Sequence, residues 1–354
     1  MGRVMTIPVL RDLQRVPLYA PSPLEGVTLD LRDNTNLWGT PPAALAAIQR
    51  ASVDSLRSYP DVSVGTLGTE LATQLNVARA NIVVGCGSDD VIDASLSALV
   101  EPGSRVAHAD PSFTMVPNFA RLRSLEPVGV PLTAEGAMDI DGLLATQAPL
   151  IYVCSPNNPT GTVTSRAELV RLFDHAPGVV LLDEAYAEFT DAHDLRREAA
   201  ARENVLVTRT FSKAWGLAGL RIGYGVGGEA LVAAVAKARG PYKVTSVSES
   251  AALCALRDDA AWIAETVREA CRMRARLHTA LEGRDRIRVW PSEGNFVFLQ
   301  LADPAAEIAE QFRQRGIGVR AFSGLNGIGE ALRIGLAPWE QLQRVVDAAE
   351  EIWA

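Results

Sequence analysis

Leu150-Ile151-Tyr152-Val153-Cys154-Ser155-Pro156-Asn157-Asn158-Pro159-Thr160-Gly161 begins with an unbroken apolar run and ends in a proline-rich turn. An amphipathic stretch follows at Ser165–Asp174, and then a second apolar run at Val179–Asp183 (VVLLD). Neither run alternates polar with apolar residues, as expected of strands covered on both faces. Strand, helix and strand in close succession make a parallel crossover unit. Outward from this unit, Asn81–Gly85 (NIVVG), Arg105–Ala109, Val205–Arg209 (VLVTR) and Arg221–Gly225 (RIGYG) read as further strands, and Asp89–Val100 as a helix. The fold class is therefore α/β with a mainly parallel sheet, in a large domain over 41–244.

The texture changes after about residue 245. Trp262–Leu281 is a long amphipathic helix with Ile263, Val267, Ala270, Leu277 and Leu281 on one face. A strand (Asn295–Gln300), a helix (Pro304–Arg315), strands near Gly318–Arg320 and Ala331–Leu336, and a helix from Trp339 follow. They predict a smaller α+β domain over 245–354. Residues 1–40 are rich in proline and read as an extended arm that packs on a larger body.

The chain has 354 residues, 48% of them hydrophobic and 21% charged, which excludes disorder as the dominant state. Its net charge is −8, from 34 Lys+Arg against 42 Asp+Glu, so it lacks the basic footprint of a nucleic-acid binder. Cys86, Cys154, Cys254 and Cys271 form no CxxC pair and read as buried free thiols. His108, His175, His193 and His278 have no metal-ligand spacing, so no metal is expected. With neither a signal peptide nor an apolar run long enough to span a bilayer, the expectation is a cytoplasmic protein.

Four segments at predicted strand ends carry polar chemistry, where α/β sheets bind their ligands. Gly85-Cys86-Gly87-Ser88-Asp89-Asp90 is a strand-to-helix turn suited to an anion, or a plain capped helix start. Ser155–Gly161 is a proline-directed turn whose asparagines can hold a polar ring substituent. Asp183 ends an apolar strand and needs a partner, either a cationic ring nitrogen or an arginine. Lys213, within Thr210-Phe211-Ser212-Lys213-Ala214-Trp215-Gly216, is either a surface lysine or an amine made nucleophilic by burial.

NNPTG, DEAY and TFSKAWGLAGLR, in this order and spacing, resemble the fold-type I, pyridoxal-phosphate-dependent aminotransferases of class I/II. YPD (59–61), EPGSRV (101–106) and LRIG (332–335) are similar to the histidinol-phosphate aminotransferase branch. The resemblance implies a seven-stranded sheet in the large domain and an arm that also packs on a dimer partner. It implies that Lys213 bonds the cofactor and shuttles a proton, that Asp183 pairs with the ring nitrogen, and that Asn158 and Tyr186 bind the ring oxygen. Phe113 would stack on the ring. Gly87, Ser88, Asp89, Thr210, Ser212 and Arg221 would hold the phosphate, with Tyr59 reaching across a homodimer. Arg333 would bind the substrate carboxylate, with Tyr19, Asn36 and Arg320 as further substrate contacts. Small amino and keto acids are the implied partners, with glutamate as donor. An aromatic aminotransferase, or an amino-acid-phosphate decarboxylase or lyase on the same scaffold, is the alternative.

Two features sit apart from this pattern. Asn34-Thr35-Asn36-Leu37 stands where the branch commonly reads Asn-Glu-Asn-Pro, and Trp38 beside it suggests a bulky substrate side chain. Gly223-Tyr224-Gly225-Val226-Gly227-Gly228 formally fits a dinucleotide fingerprint but reads as a glycine-rich strand end.

Overall fold

The computed structural model describes residues 16–18 and 25–353. Its strands, in chain order, are β1 (Leu29–Asp30), β2 (Ile82–Gly85), β3 (Arg105–Asp110), β4 (Glu126–Pro131), β5 (Leu150–Cys154), β6 (Val179–Asp183), β7 (Val205–Thr210), β8 (Gly223–Gly227), β9 (Ile287–Trp290), β10 (Phe296–Leu301), β11 (Ile317–Gly318), β12 (Arg320–Leu325) and β13 (Gly329–Gly335). Seven of them form one sheet in the order β2-β8-β7-β6-β5-β3-β4. All are parallel except β8, which runs antiparallel to β2 and β7. The apolar runs read as two-faced strands are buried from end to end in β2, β5, β7 and β8.

β4 went unread in the sequence because it carries Pro127 and Pro131, and it is the half-exposed edge strand where proline is tolerated. The strand expected at Arg221 begins only at Gly223, because Arg221 adopts a left-handed conformation after a short 3-10 turn, Ala218–Leu220. The glycine-rich strand β8 has a packing reason rather than a nucleotide. A Cβ on Gly223 would meet Ser88 N at 2.4 Å, so β8 closes directly on the Gly87–Ser88 turn.

β12-β13-β10-β9 form a second, antiparallel sheet. The helix Ala260–Leu281 buries Ile263, Ala270, Met273, Leu277 and Leu281 in a core shared with that sheet. β1 pairs in parallel with β11, which ties the segment after residue 25 to the late part of the chain. All four cysteines are free, but only Cys154 is fully buried; Cys86, Cys254 and Cys271 are half-buried. Among the described residues, no helix is long and apolar enough to cross a membrane.

Candidate active site

A cavity of about 510 Å³ opens at the carboxyl edge of the large sheet. β2, β3, β5, β6 and β7 all end on that edge, and antiparallel β8 enters from it. The turns after these strands therefore converge on one volume.

Ser88 and Asp89 reach the cavity from the start of the helix Ser88–Leu99. Neither caps the helix: Gly87 occupies the cap position without a side-chain bond, and Asp90 takes Cys86 N (3.1 Å) and pairs with Arg239 and Lys243. Gly87 itself does not line the cavity. Its φ of +80° suits glycine, and a Cβ there would stand 2.6 Å from Arg221 NH2. Arg221 lines the cavity, donates to Ser212 Oγ (3.2 Å) and lies 3.4 Å from Asp89. Thr210 and Ser212 complete this corner. Helix N-terminus, backbone turn, hydroxyls and guanidinium together make an anion cradle.

Asp183 lies at the cavity floor, 4% exposed. Its carboxylate accepts from Tyr152 OH (2.8 Å), Ala185 N (3.1 Å) and Thr208 Oγ1 (3.2 Å). All three donors are neutral, and no cationic side chain among the described residues pairs with it. The arginine sits one residue on: Arg209 donates to Glu184, which also meets His193 and is held below its usual range by Arg209 despite its burial. Burial pushes Asp183 up to about 6, with nearby Asp89 adding to the effect. A buried carboxylate with hydrogen bonds but no counter-charge fits a protonated ring nitrogen.

Lys213 Nζ donates to Asp33 O (2.7 Å) and stands 5.8 Å from the Tyr186 ring centre. Burial, aided by Arg333, lowers its pKa to about 8. Half of an amine with that pKa is neutral and nucleophilic at pH 8. Burial pushes Tyr186 up to about 12, so it stays a phenol. Phe113 and Asn158 enter from the turns after β3 and β5, and Asn158 Oδ1 accepts from Arg333 NH1 (2.5 Å). Arg320 and Arg333 face each other across the β12–β13 ladder, and both line the cavity.

Three sequence-predicted residues lie elsewhere. Asn36 is outside the lining because its amide donates to Ala214 O, in the turn after Lys213, and its oxygen takes Trp38 N, so both ends are spent on backbone. Trp38 packs against the core beside the small sheet, not the cavity. Tyr59 is 83% exposed and stacks on Tyr242, away from this chain's cavity. Tyr19 lies outside the described residues. His108 bonds the backbone of its own strand, at Ala109 O. Tyr152, Thr208, Asp33 and Asn34 were missed. The i+2 offset from Tyr152 to the last residue of β5, opposite Asp183 on β6, is the sequence signal for Tyr152, and the Asn34–Leu37 motif position is the one for Asn34.

The family model for aminotransferase class I and II matches residues 27–348. A histidinol-phosphate aminotransferase of Bacillus velezensis is 33% identical over 97% of this chain and 99% of its own. An aromatic amino acid aminotransferase of Streptomyces coelicolor is 35% identical over 98% of both chains. Among solved structures, the histidinol-phosphate aminotransferase of Sinorhizobium meliloti in complex with pyridoxal-5'-phosphate is 27% identical, covers 99% of this chain and 98% of its own, and has a TM-score of 0.88.

Proposed function

We propose that this chain, which belongs to the aminotransferase class I and II family and is a pyridoxal-phosphate-dependent transaminase, moves an amino group from glutamate to a doubly anionic or phosphorylated acceptor. The cofactor, when bound, draws electrons from the substrate's Cα so that its proton can leave. The residues fit it: the anion cradle suits a phosphate, and Asp183 lacks the counter-charge that a ring nitrogen supplies. Lys213 would hold the cofactor through its amine and would move the proton at the substrate's Cα. Asp183 would keep the ring nitrogen protonated. Asn158 and Tyr186 would bind the ring oxygen, Phe113 would stack on the ring, and Ser88, Asp89, Thr210, Ser212 and Arg221 would hold the phosphate, with Gly87 allowing the close approach. The substrate's proton transfer thus takes place in a site walled by fixed donors.

The observation that carries the acceptor class is the cross-strand pair Arg320–Arg333. Like charges directly opposite on a sheet repel. Both guanidinium groups line one cavity and so present paired donors to an anion there, and Arg333, buried to 7% exposure, is placed to fork a carboxylate. The keto compound whose amination gives histidinol phosphate is the leading acceptor, histidinol phosphate itself being the amino donor of the reverse reaction, consistent with the Bacillus relative. A second reading, aromatic side chains, draws support from Phe322 and Met115, which line the same cavity, and from the Streptomyces relative. Arg320→Gln separates them. Loss of about a hundredfold in kcat/KM for histidinol phosphate, with phenylalanine spared, supports the phosphate reading. An equal loss for both, or none, contradicts it.

A further inference from the structure

The segment after β1 touches the site at successive positions. Arg32 O takes Arg333 NH2, Asp33 O takes Lys213 Nζ (2.7 Å), and Asn34 Nδ2 donates to Tyr186 OH (3.1 Å). Asn34 is 1% exposed, and its carbonyl accepts from Asn295 Nδ2 (2.9 Å). Its φ is +53°, a left-handed conformation that asparagine, aspartate and glycine adopt more readily than other residues.

The direction of the Asn34–Tyr186 bond has a consequence. Asn34 Oδ1 has no partner among the described residues. Turning the amide over would strand two N–H donors instead, and a buried unpaired carbonyl oxygen is the more tolerable of the two. With a lone pair of the tyrosine oxygen taken by the amide, the phenolic proton is directed away from Asn34. Tyr186 lines the cavity, so that proton points to whatever anion the cavity holds.

We propose that Asn34 is a positioning residue: its side-chain amide fixes Tyr186 as a hydrogen-bond donor toward the cofactor's anionic ring oxygen. The inference rests on the reading of Tyr186 as a ring-oxygen contact. Two replacements keep the left-handed backbone. Asn34→Gly removes the amide. Asn34→Asp is nearly isosteric but only accepts, so it draws the tyrosine proton away from the cavity.

The test is the pH midpoint of the visible absorption band of pyridoxal-phosphate-loaded protein, measured with the four proteins of a double-mutant cycle for each replacement. Tyr186→Phe should raise the midpoint by roughly one pH unit, since it removes one donor to the anionic form. Asn34→Asp should raise it nearly as far, and Asn34→Gly by less. Neither should shift it further in the Tyr186→Phe background, where there is no proton left to orient. A shift of the same size in both backgrounds, or no shift in the Tyr186 background while Tyr186→Phe alone moves the midpoint, overturns the role of Asn34. No shift on Tyr186→Phe itself overturns the reading of Tyr186 and the inference with it. Stability is read separately by thermal melting, so a misfolded variant is recognised. In that event Asn34→Ser in the same cycle, which should raise the midpoint less than Asn34→Asp and not at all beside Tyr186→Phe, decides by the same criteria.

Discussion

Asp183 carries the clearest conflict between stability and function. In the cofactor-free protein its pKa is raised from 3.8 to about 6 by burial. Between those values the folded chain binds more protons than the unfolded one, so stability falls as pH rises through the window. Above pH 6 the deficit is on the order of 3 kcal/mol. Asp183→Asn removes the charge and keeps the shape. Cofactor-free Asp183→Asn should therefore melt a few degrees above the parent at pH 8, with the gap closing toward pH 4. It should also bind pyridoxal phosphate more weakly. Melting temperatures that coincide at every pH would remove the uncompensated carboxylate from the account. Lys213 shifts in the complementary sense: its lowered pKa leaves a burial penalty on the charged amine that is fully present below about 8 and relieved as pH rises toward 10.5.

At the scale of elements, the anion cradle is a joint between a strand, a turn and a helix. Gly87 lets Arg221 come close, and Gly223 lets β8 close on the Ser88 backbone. Gly87→Ala should weaken pyridoxal phosphate binding at least tenfold, through backbone strain at φ +80° and displacement of Arg221. Fluorescence titration of the cofactor-free protein measures it, and unchanged affinity would contradict the cradle. How legible each part was follows from its physics. β5, β6 and β7 are buried almost from end to end because both faces are covered, and the apolar runs that begin them stand out in a sequence. β4 did not, since its exposed, proline-bearing edge carries no burial pattern. The turns holding Lys213, Asp183 and Asn158 were readable as local motifs. The role of Asn34 was not, because its partner Tyr186 is 152 residues away and only the tertiary fold joins them. The neighbouring Asn36 drew attention instead, yet its amide N–H is spent on the backbone carbonyl of Ala214, beside Lys213, and its oxygen on Trp38 N.

At the scale of the whole molecule, one surface is out of keeping with a solitary chain. Val53, Leu56, Tyr59 and Val62 are all more than half exposed, and Tyr59 stacks on Tyr242 at 4.6 Å. Clustered exposed apolar side chains mark an interaction face. With Tyr59 turned away from its own cavity, a homodimer that lends Tyr59 to a neighbour's cradle is the expected assembly. Light scattering of loaded protein should give twice the chain mass. Leu56→Asp should yield monomers that release the cofactor more readily; monomers that keep it as tightly as the parent would contradict the shared cradle.

The central claim is that Lys213, Asp183 and the cradle form one working transamination site. The most direct measurement is the visible spectrum of pyridoxal-phosphate-loaded protein as amino compounds are added singly, with the keto product assayed alongside. Glutamate and histidinol phosphate should bleach the yellow band with stoichiometric keto product, and Lys213→Ala should lack the band and the turnover. A band that no amino compound bleaches, carbon dioxide release in place of keto product, or full activity in Lys213→Ala would contradict the account.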